Sequence, residues 1–412
     1  MANPSTSSLV DHFFRNEFGK VVTYLTGKFG VAHLEAAEDA VQDALMKAMQ
    51  SWGYGKVPDN PTGWIIKVAR NKLIDHLRRQ QKVYYATQLP ETETEEPTIS
   101  EDLFKDEMVK MIFACCNPAI STEYQLILTL KILAGLSIRE ISSALIKKEE
   151  TVAKSYTRAK KKFKEENIIL EIPSPEDIQN RLGVALKAIY LLFNEGYKTT
   201  EGEQLIRKDL CEEAMRLNQL LLDKQETNNE QTRSLMALMH FQVSRFDARL
   251  DEEGRSVSLQ NQDRSKWDNQ HITLGNRYLT TVSDGMTNAY FLQAAINGIH
   301  CASPDYEHTN WTYILILYNH LYSLNPNPII ALNRIYPLSK VHGPELALEQ
   351  INELSNNKLL AQNYLVNATK AEILLQLDNL SDARAELELA IDLCANAKER
   401  EYMTRKLEEI SL

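Results

Sequence analysis

One segment, residues 137–164, constrains the fold more than any other part of the chain. It begins with Ser137 and Glu140, the S-x-x-E spacing of a capping box, in which each side chain caps the other's backbone at a helix start. A second helical period runs from Val152 to Phe163. The segment therefore predicts two short helices joined by a tight turn. This is the layout of a helix-turn-helix, whose second helix enters the DNA major groove.

The second of these helices is divided into an apolar face and a basic face. Val152, Tyr156, Ala159 and Phe163 recur at spacings of four, three and four residues, which predicts that they pack inward. Thr, Ser, Lys and Arg side chains on the opposite face can donate to base edges and phosphates. A solvated basic helix is the ordinary alternative. The outward positions are Thr151, Lys154, Ser155, Arg158, Lys161 and Lys162.

Upstream, a second basic helix is predicted to start near Pro61, a residue that favours the first turn of a helix. Its inward positions are Ile65, Val68, Ala69, Leu73 and Leu77. The spacing of its basic residues fits a face that follows the phosphate backbone. The predicted outward positions are Lys67, Arg70, Asn71, Asp75 and Arg78, with Arg79 beside them.

The helix before that one, residues 34–49, has a regular buried stripe. Its apolar positions are Leu34, Ala37, Val41, Ala44, Leu45, Ala48 and Met49. Its opposite face carries Glu38, Asp39, Gln42, Asp43, Met46 and Lys47.

Composition excludes several classes of protein. The 412 residues are 43% hydrophobic and 25% charged, as in ordinary globular proteins. Strand-type alternation is hard to find, so the chain is predicted to be all-α. The formal net charge of −10 is an average, because basic residues concentrate in the two helices described above. No membrane span, signal peptide, catalytic constellation, metal-ligand spacing or cofactor motif is recognised. Five scattered cysteines favour a reduced, cytoplasmic compartment.

The chain divides into four predicted parts. Residues 8–81 and 101–170 form two small helical domains, and residues 82–100 are an acidic linker that is expected to be mobile. Residues 171–412 are a long helical region. Its last stretch, TKAEILLQLDNLSDARAELELAIDL, has the pattern of a tetratricopeptide helix pair, with a weaker copy near residues 325–351.

Taken in order, these segments resemble a known family. AAEDAVQDALMKAMQSW, NPTGWIIKVARNKLIDHLRR and the helix-turn-helix are similar to regions 2 and 4 of bacterial extracytoplasmic-function (ECF) sigma factors. KMIFACCNPAI, AIYLLFNEGY, the stretch from residue 235 to residue 268, NAYFLQAAINGIH and PIIALNR resemble the subgroup with a long tetratricopeptide-like C-terminal extension. The resemblance covers nearly the whole chain. It implies a protein without enzymatic activity that binds core RNA polymerase and directs promoter-specific initiation.

The resemblance also implies roles for individual residues. Partners would be the β′ clamp helices and β flap of core polymerase and promoter DNA, with no membrane. A regulatory protein or ligand at the C-terminal region is left open. Core polymerase would be contacted by Glu38, Asp39, Gln42, Asp43, Leu45 and Met46. The −10 element would be read and opened by Lys67, Arg70, Asn71, Asp75, Arg78 and Arg79. The −35 element would be read by Glu150, Thr151, Lys154, Ser155, Arg158 and Lys161.

Two departures and two alternatives remain. The family's CCHP-like segment reads Cys115-Cys116-Asn117-Pro118, which weakens any metal or redox role there and favours buried apolar thiols. An acidic turn, residues 251–254, fits a contact loop or a plain surface turn. A conventional helix-turn-helix regulator with a helical effector domain would leave residues 38–79 unexplained. A peptide-binding scaffold would leave both basic faces unexplained.

Overall fold

The computed structural model describes residues 6–52, 57–80, 100–199 and 205–410, with side chains from residue 17 onward except that of residue 80. The predicted all-α class is confirmed, since these ranges contain helices and a single isolated bridge between Leu250 and Ser256. Of the predicted linker, residues 82–99 lie outside the described ranges. Ser100 is described, and its hydroxyl caps the following helix by accepting from the Leu103 amide at 3.3 Å.

The chain forms two compact units. The first comprises residues 1–192 and 212–227, and the second comprises residues 193–211 and 228–412. The helices of the first unit are α1 (Thr6–Phe29), α2 (Leu34–Trp52), α3 (Pro61–Gln80), α4 (Glu101–Cys115), α5 (Thr122–Leu128), α6 (Ile138–Leu145), α7 (Glu149–Glu165) and most of α8 (Pro175–Tyr197) and α9 (Lys208–Leu222).

Helices α1, α2 and α3 pack together. The predicted stripe of α2 is buried except for Met49, which is 47% exposed, so the stripe ends at Ala48 on that side. Val41, Ala44 and Leu73 are fully buried, and α2 lies along both α1 and α3. At one end Trp52 and Trp64 meet with ring centroids 5.5 Å apart. The two indole rings therefore anchor the packing of α2 on α3 at this end.

The predicted helix-turn-helix is confirmed as α6, a three-residue turn and α7. The capping box is present: the Ser137 hydroxyl accepts from the Glu140 amide at 3.1 Å, and Glu140 accepts from the Ser137 amide at 2.7 Å. Helix α5 continues into a single π-helical turn, Thr129–Leu133, and packs against α7. Ile146 begins the turn in the left-handed region, with φ 54°.

The second unit is a succession of helices. Each helix from α12 onward packs against the next one in the sequence, which is the pairwise stacking expected of tetratricopeptide-like helices. Apolar clusters fill the layers, one of them centred on Ile335, Ile351 and Ile373. The helices are α10 (Glu230–Val243), α11 (Asn269–Leu279), α12 (Ala289–Ala302), α13 (Trp311–Leu324), α14 (Pro328–His342), α15 (Pro344–Ser355), α16 (Tyr364–Gln376), α17 (Leu380–Leu393) and α18 (Ala397–Glu409).

Two smaller features concern the cysteine pair and the acidic turn. Cys115 and Cys116 are buried, and burial raises the pKa of the Cys116 thiol to about 12, so they are inert apolar thiols. Residues 251–254 form a turn in which Gly254 has φ 73° and Arg255 pairs with Asp251 at 2.6 Å. Within the described ranges no helix has the length and apolar content needed to cross a bilayer.

Candidate polymerase and nucleic-acid surfaces

Helix α7 presents a polar face along its first three turns. Lys154, Arg158 and Lys161 are exposed, and so are Glu150 and Thr151. Residues three or four positions apart lie on the same side of a helix, so these five residues form one continuous surface. This surface has the chemistry needed to contact base edges and phosphates.

Ser155 does not belong to that exposed surface. The sequence places it outward, but it is only 8% exposed and its hydroxyl donates to Glu123 Oε1 at 3.2 Å. Ser155 lies three residues after Val152 and four before Ala159, so it falls within the buried stripe. Glu123 also pairs with Lys147 at 2.6 Å, which lowers the pKa of Glu123. Ser155 therefore helps to anchor α7 on α5.

Helix α3 carries the residues that are predicted to read the −10 element. Their exposure differs from one residue to the next. Asp75, Arg78 and Arg79 are exposed, and Lys67 and Asn71 are partly exposed. Arg78 lies 4.0 Å from Asp75, an exposed pair that contributes little to stability.

Arg70 is the exception on α3. The prediction that it faces outward is wrong, because Arg70 is only 3% exposed. It lies four residues after Ile66 and four before Ile74, both buried, and α3 packs against α1 as well as α2. The buried stripe of α3 is therefore wider than the apolar periodicity indicates.

Helix α2 exposes four of the six predicted polymerase contacts. Asp39, Gln42, Asp43 and Met46 are exposed, and Met46 is an unusually exposed apolar side chain at 58%. Asp43 also pairs with Lys72 of α3 at 2.7 Å. Leu45 is 1% exposed and belongs to the core stripe in which the sequence also places it.

Glu38, the sixth of these residues, is buried by the helix-turn-helix. Although the sequence places it on the polar face, Glu38 is only 4% exposed. The Tyr156 hydroxyl of α7 donates to Glu38 Oε1, and Lys160 Nζ lies 3.4 Å from Glu38 Oε2. Lys160 also pairs with Glu35 at 2.9 Å and lies 5.0 Å from the centre of the Tyr156 ring. We call Glu35, Glu38, Tyr156 and Lys160 the α2–α7 contact.

Burial controls the electrostatics of this contact. It raises the pKa of Glu38, and the Tyr156 hydroxyl and Lys160 oppose that rise only in part. Lys131 belongs to the π-helical turn and lies near Glu38, and burial lowers the pKa of Lys131 as well. A buried carboxylate that loses one of its partners is costly, so the contact depends on both Tyr156 and Lys160.

A second close approach joins the same two parts of the first unit. Helix α1 packs against α4 and against the π-helical turn. A Cβ atom at Gly19 would lie 2.5 Å from the Leu133 carbonyl oxygen, so only glycine permits this approach. The segment 8–81 and the segment 101–170 are therefore packed together in this structure.

Sequence reasoning did not identify Tyr156 and Lys160 as partners of α2. The apolar period correctly predicts Tyr156 on the inward face of α7, but its partner Glu38 is 118 residues away. No local pattern reports a contact at that separation. The one available signal was the i, i+4 placement of Glu38 after buried Leu34, which puts a carboxylate on an apolar stripe.

Comparisons with known proteins agree with this architecture. Residues 15–83, which include α2 and α3, match the family model of sigma-70 region 2. Residues 181–283 match a family of unknown function, DUF6596. An uncharacterized protein of Rhizobium meliloti is 34% identical over 393 residues, which cover 92% of this chain and 91% of that protein.

Proposed function

Because the chain belongs to the family of sigma-70-like proteins in which region 2 is followed by the DUF6596 domain, we propose that it is a sigma factor of the ECF type. A sigma-70 region 2 implies that the chain binds core RNA polymerase and promoter DNA. The finer proposal is that it selects promoters by their −10 and −35 elements. The observation that carries the proposal is the combination of region 2, at residues 15–83, with a capped helix-turn-helix in the same compact unit.

The polymerase-binding role is assigned to the exposed part of α2. Asp39, Gln42, Asp43 and Met46 combine two carboxylates, an amide and an exposed thioether on one helix face. Such a surface suits a partner with basic rims around an apolar groove. We assign it to the β′ clamp helices, and the helix-turn-helix to the β flap.

The promoter-reading roles are assigned to α3 and α7. Arg78, Arg79 and Lys67 would hold the −10 strand by its phosphates, and Lys154 and Arg158 would contact the −35 element in the major groove. Opening base pairs at −10 costs several kcal/mol, which capture of extruded bases must offset. No nucleotide hydrolysis is required for these steps.

Promoter binding requires the two DNA-reading helices to separate. The two promoter elements lie about 25 base pairs apart, which is roughly 85 Å of duplex. Helix α7 contacts α2 through Glu38, and α3 packs along α2. Since a 20-residue helix is only about 30 Å long, the reading faces of α3 and α7 lie within roughly 50 Å of each other. We propose that this closed arrangement opens when the chain binds core polymerase.

The C-terminal unit is proposed to regulate this step. Its stacked helices offer a large surface that initiation itself does not require. The alternative, a conventional helix-turn-helix regulator, leaves the region 2 match without a role.

Binding to core polymerase tests the first part of the proposal. Asp39→Lys should weaken the binding of the full chain to core polymerase by about ten-fold or more, because it reverses one charge in the interface. Fluorescence anisotropy of the labelled chain measures the affinity. Glu171→Lys, an exposed substitution outside the helices, is the matched control and should bind as the wild type does. If both variants bound core polymerase with equal affinity, the proposal that α2 contacts the polymerase would be wrong.

A further inference from the structure

A cavity of about 540 Å³ opens in the second unit. Its volume is within the range of sites that hold small molecules. Its walls come from segments far apart in the chain: the loop 256–261, the end of α12, helices α13 and α14, and the last helix, α18. Three segments that the family resemblance singled out meet here, since the loop belongs to the stretch 235–268, His300 ends NAYFLQAAINGIH, and Asn333 lies in PIIALNR.

One wall of the cavity is aromatic. Trp311 lies at its centre, with Tyr306 at 5.3 Å, Tyr336 at 5.5 Å and His300 at 5.4 Å between ring centroids. All three neighbours meet the indole edge-on, at 64–70°. All four rings line the cavity, and aromatic side chains favour contact with another flat, apolar ring.

His300 adds a polar group to this wall. It is 8% exposed, and its Nδ1 has no hydrogen-bond partner in the described structure. Burial and the nearby Arg245 and Arg264 lower the pKa of His300 to about 3, so the ring is neutral. A neutral imidazole can exchange a hydrogen bond with a polar ligand but does not repel a cation or attract an anion.

Helix α18 contributes to the cavity lining a cation, Arg405, that lacks an acidic partner among the described residues. Arg405 of α18 donates from Nη2 to the Ser256 carbonyl at 3.2 Å, and its buried Nε has no partner. The other charges nearby are mostly paired, Asp251 with Arg255 at 2.6 Å and Lys406 with Glu372. Glu409 also lines the cavity but is exposed to water, which screens its charge more than that of partly buried Arg405.

We propose that this cavity binds a small carboxylic acid that carries a planar ring, with the ring against Trp311 and the carboxylate at Arg405. A guanidinium with unused donors is well suited to a carboxylate, and the aromatic wall is suited to the ring. Such a ligand is a candidate for the signal that the C-terminal unit receives. This regulatory role rests on the proposed function. The binding itself does not depend on the proposed function.

Binding is tested on the full chain without polymerase, by ¹⁹F NMR titration of three probes. 4-Fluorophenylacetate has both the ring and the charge, 4-fluorophenylacetamide lacks the charge, and 4,4,4-trifluorobutyrate lacks the ring. The ring acid should bind about ten-fold more tightly than either of the others, as expected for the loss of one charged hydrogen bond or one stacked ring. Equal binding of the three probes, or no binding of the ring acid at about 10 mM, would overturn the proposal.

Substitutions locate the binding. Arg405→Gln should weaken the binding of 4-fluorophenylacetate by about ten-fold and leave the binding of 4-fluorophenylacetamide unchanged. Arg400→Gln, an exposed position on the same helix, is the matched control and should bind both probes as the wild type does. Asn333→Trp, at an exposed position lining the cavity, should block the ring acid without disturbing the core. Wild-type affinity in both Arg405→Gln and Asn333→Trp would place the ligand elsewhere. Circular dichroism of each variant confirms folding, and a failure of transcription assays would leave these results intact.

Discussion

Glu38 is a carboxylate that the fold keeps out of water and holds between two donors from α7. The Tyr156 hydroxyl and the Lys160 ammonium satisfy it, and Lys160 is held in place by Glu35 and by the face of the Tyr156 ring. A buried carboxylate with these partners is only weakly stabilising overall, because desolvation offsets much of the attraction. The α2–α7 contact is therefore suited to being broken by a competing partner.

Removing one donor should favour the open state. Tyr156→Phe keeps the ring but leaves Glu38 with Lys160 alone, which costs about 1.5–3 kcal/mol for a hydrogen bond to a charged group. The closed arrangement is weakened, so affinity for core polymerase should rise by about ten-fold or more. Fluorescence anisotropy measures the change. Tyr124→Phe, at a partly exposed position of α5, serves as the control. If Tyr156→Phe lost thermal stability but bound polymerase as the wild type does, the contact would be purely structural.

If the chain opens as proposed, the same carboxylate should make the closed arrangement depend on pH. The pKa of Glu38 is raised by burial in the closed state and is expected to be near 4.5 when the contact opens. The closed state therefore binds the proton more tightly, and it gains stability as pH falls through the raised pKa toward about 4.5. As pH rises above that window, this gain is lost. Energy transfer between dyes at Lys47 and Lys164 should report a larger closed fraction at lower pH.

Glu38→Gln provides the control for this pH dependence. Glutamine keeps the shape and an acceptor for Tyr156 but does not titrate, so the closed fraction should stay constant across the same window. An identical pH response in wild type and Glu38→Gln would assign the effect to another group.

At the scale of single elements, the helix-turn-helix follows from local sequence. Ser137 and Glu140 are three residues apart and cap each other, so the start of α6 is predictable from spacing alone. The sequence places Arg70 and Ser155 on outward faces, but both are buried. The number of neighbouring helices that pack against a helix decides which of its polar side chains fall within the buried stripe. Helix α3 meets both α1 and α2, and α7 meets both α5 and α6. Periodicity indicates the centre of a buried face but not its width.

The turn of the motif contains a strained residue. Ile146 has φ 54° although it is β-branched, a conformation that costs a non-glycine residue about 1–2 kcal/mol. Its side chain is 77% exposed, so little packing is lost on replacement. Ile146→Asn should raise the free energy of unfolding by about 1 kcal/mol, because asparagine tolerates the left-handed region.

Thermal unfolding of the full chain measures that gain. Ile169→Asn is the matched control, since Ile169 is also exposed but lies outside the residues with positive φ. It should leave stability nearly unchanged. A loss of stability in Ile146→Asn would mean that the isoleucine side chain makes a stabilising contact worth more than the relief of backbone strain.

At the scale of the whole molecule, the sequence predicts the helical class and the order of the motifs but not how the parts pack. The all-α class and the helical C-terminal region follow from periodicity along the chain. The packing of α1 on the π-helical turn, and of Glu38 on Tyr156, depends on contacts more than 100 residues apart in sequence, for which no local pattern exists. The cavity at Trp311 is of the same kind, since its walls assemble from distant segments of the second unit.

We have proposed that this chain directs core RNA polymerase to promoters. Run-off transcription with purified core polymerase, on the DNA upstream of the chain's own gene and on a genomic promoter pool, tests it directly. We expect promoter-specific transcripts that require both the chain and core polymerase. They should fall by about ten-fold or more in Lys154→Glu or Arg158→Glu, as expected for the loss of a base contact worth about 1–3 kcal/mol. Lys187→Glu, an exposed lysine on α8, should leave them unchanged. Tight, specific duplex binding without polymerase, together with no transcript, would contradict a sigma-factor role and favour a conventional helix-turn-helix regulator.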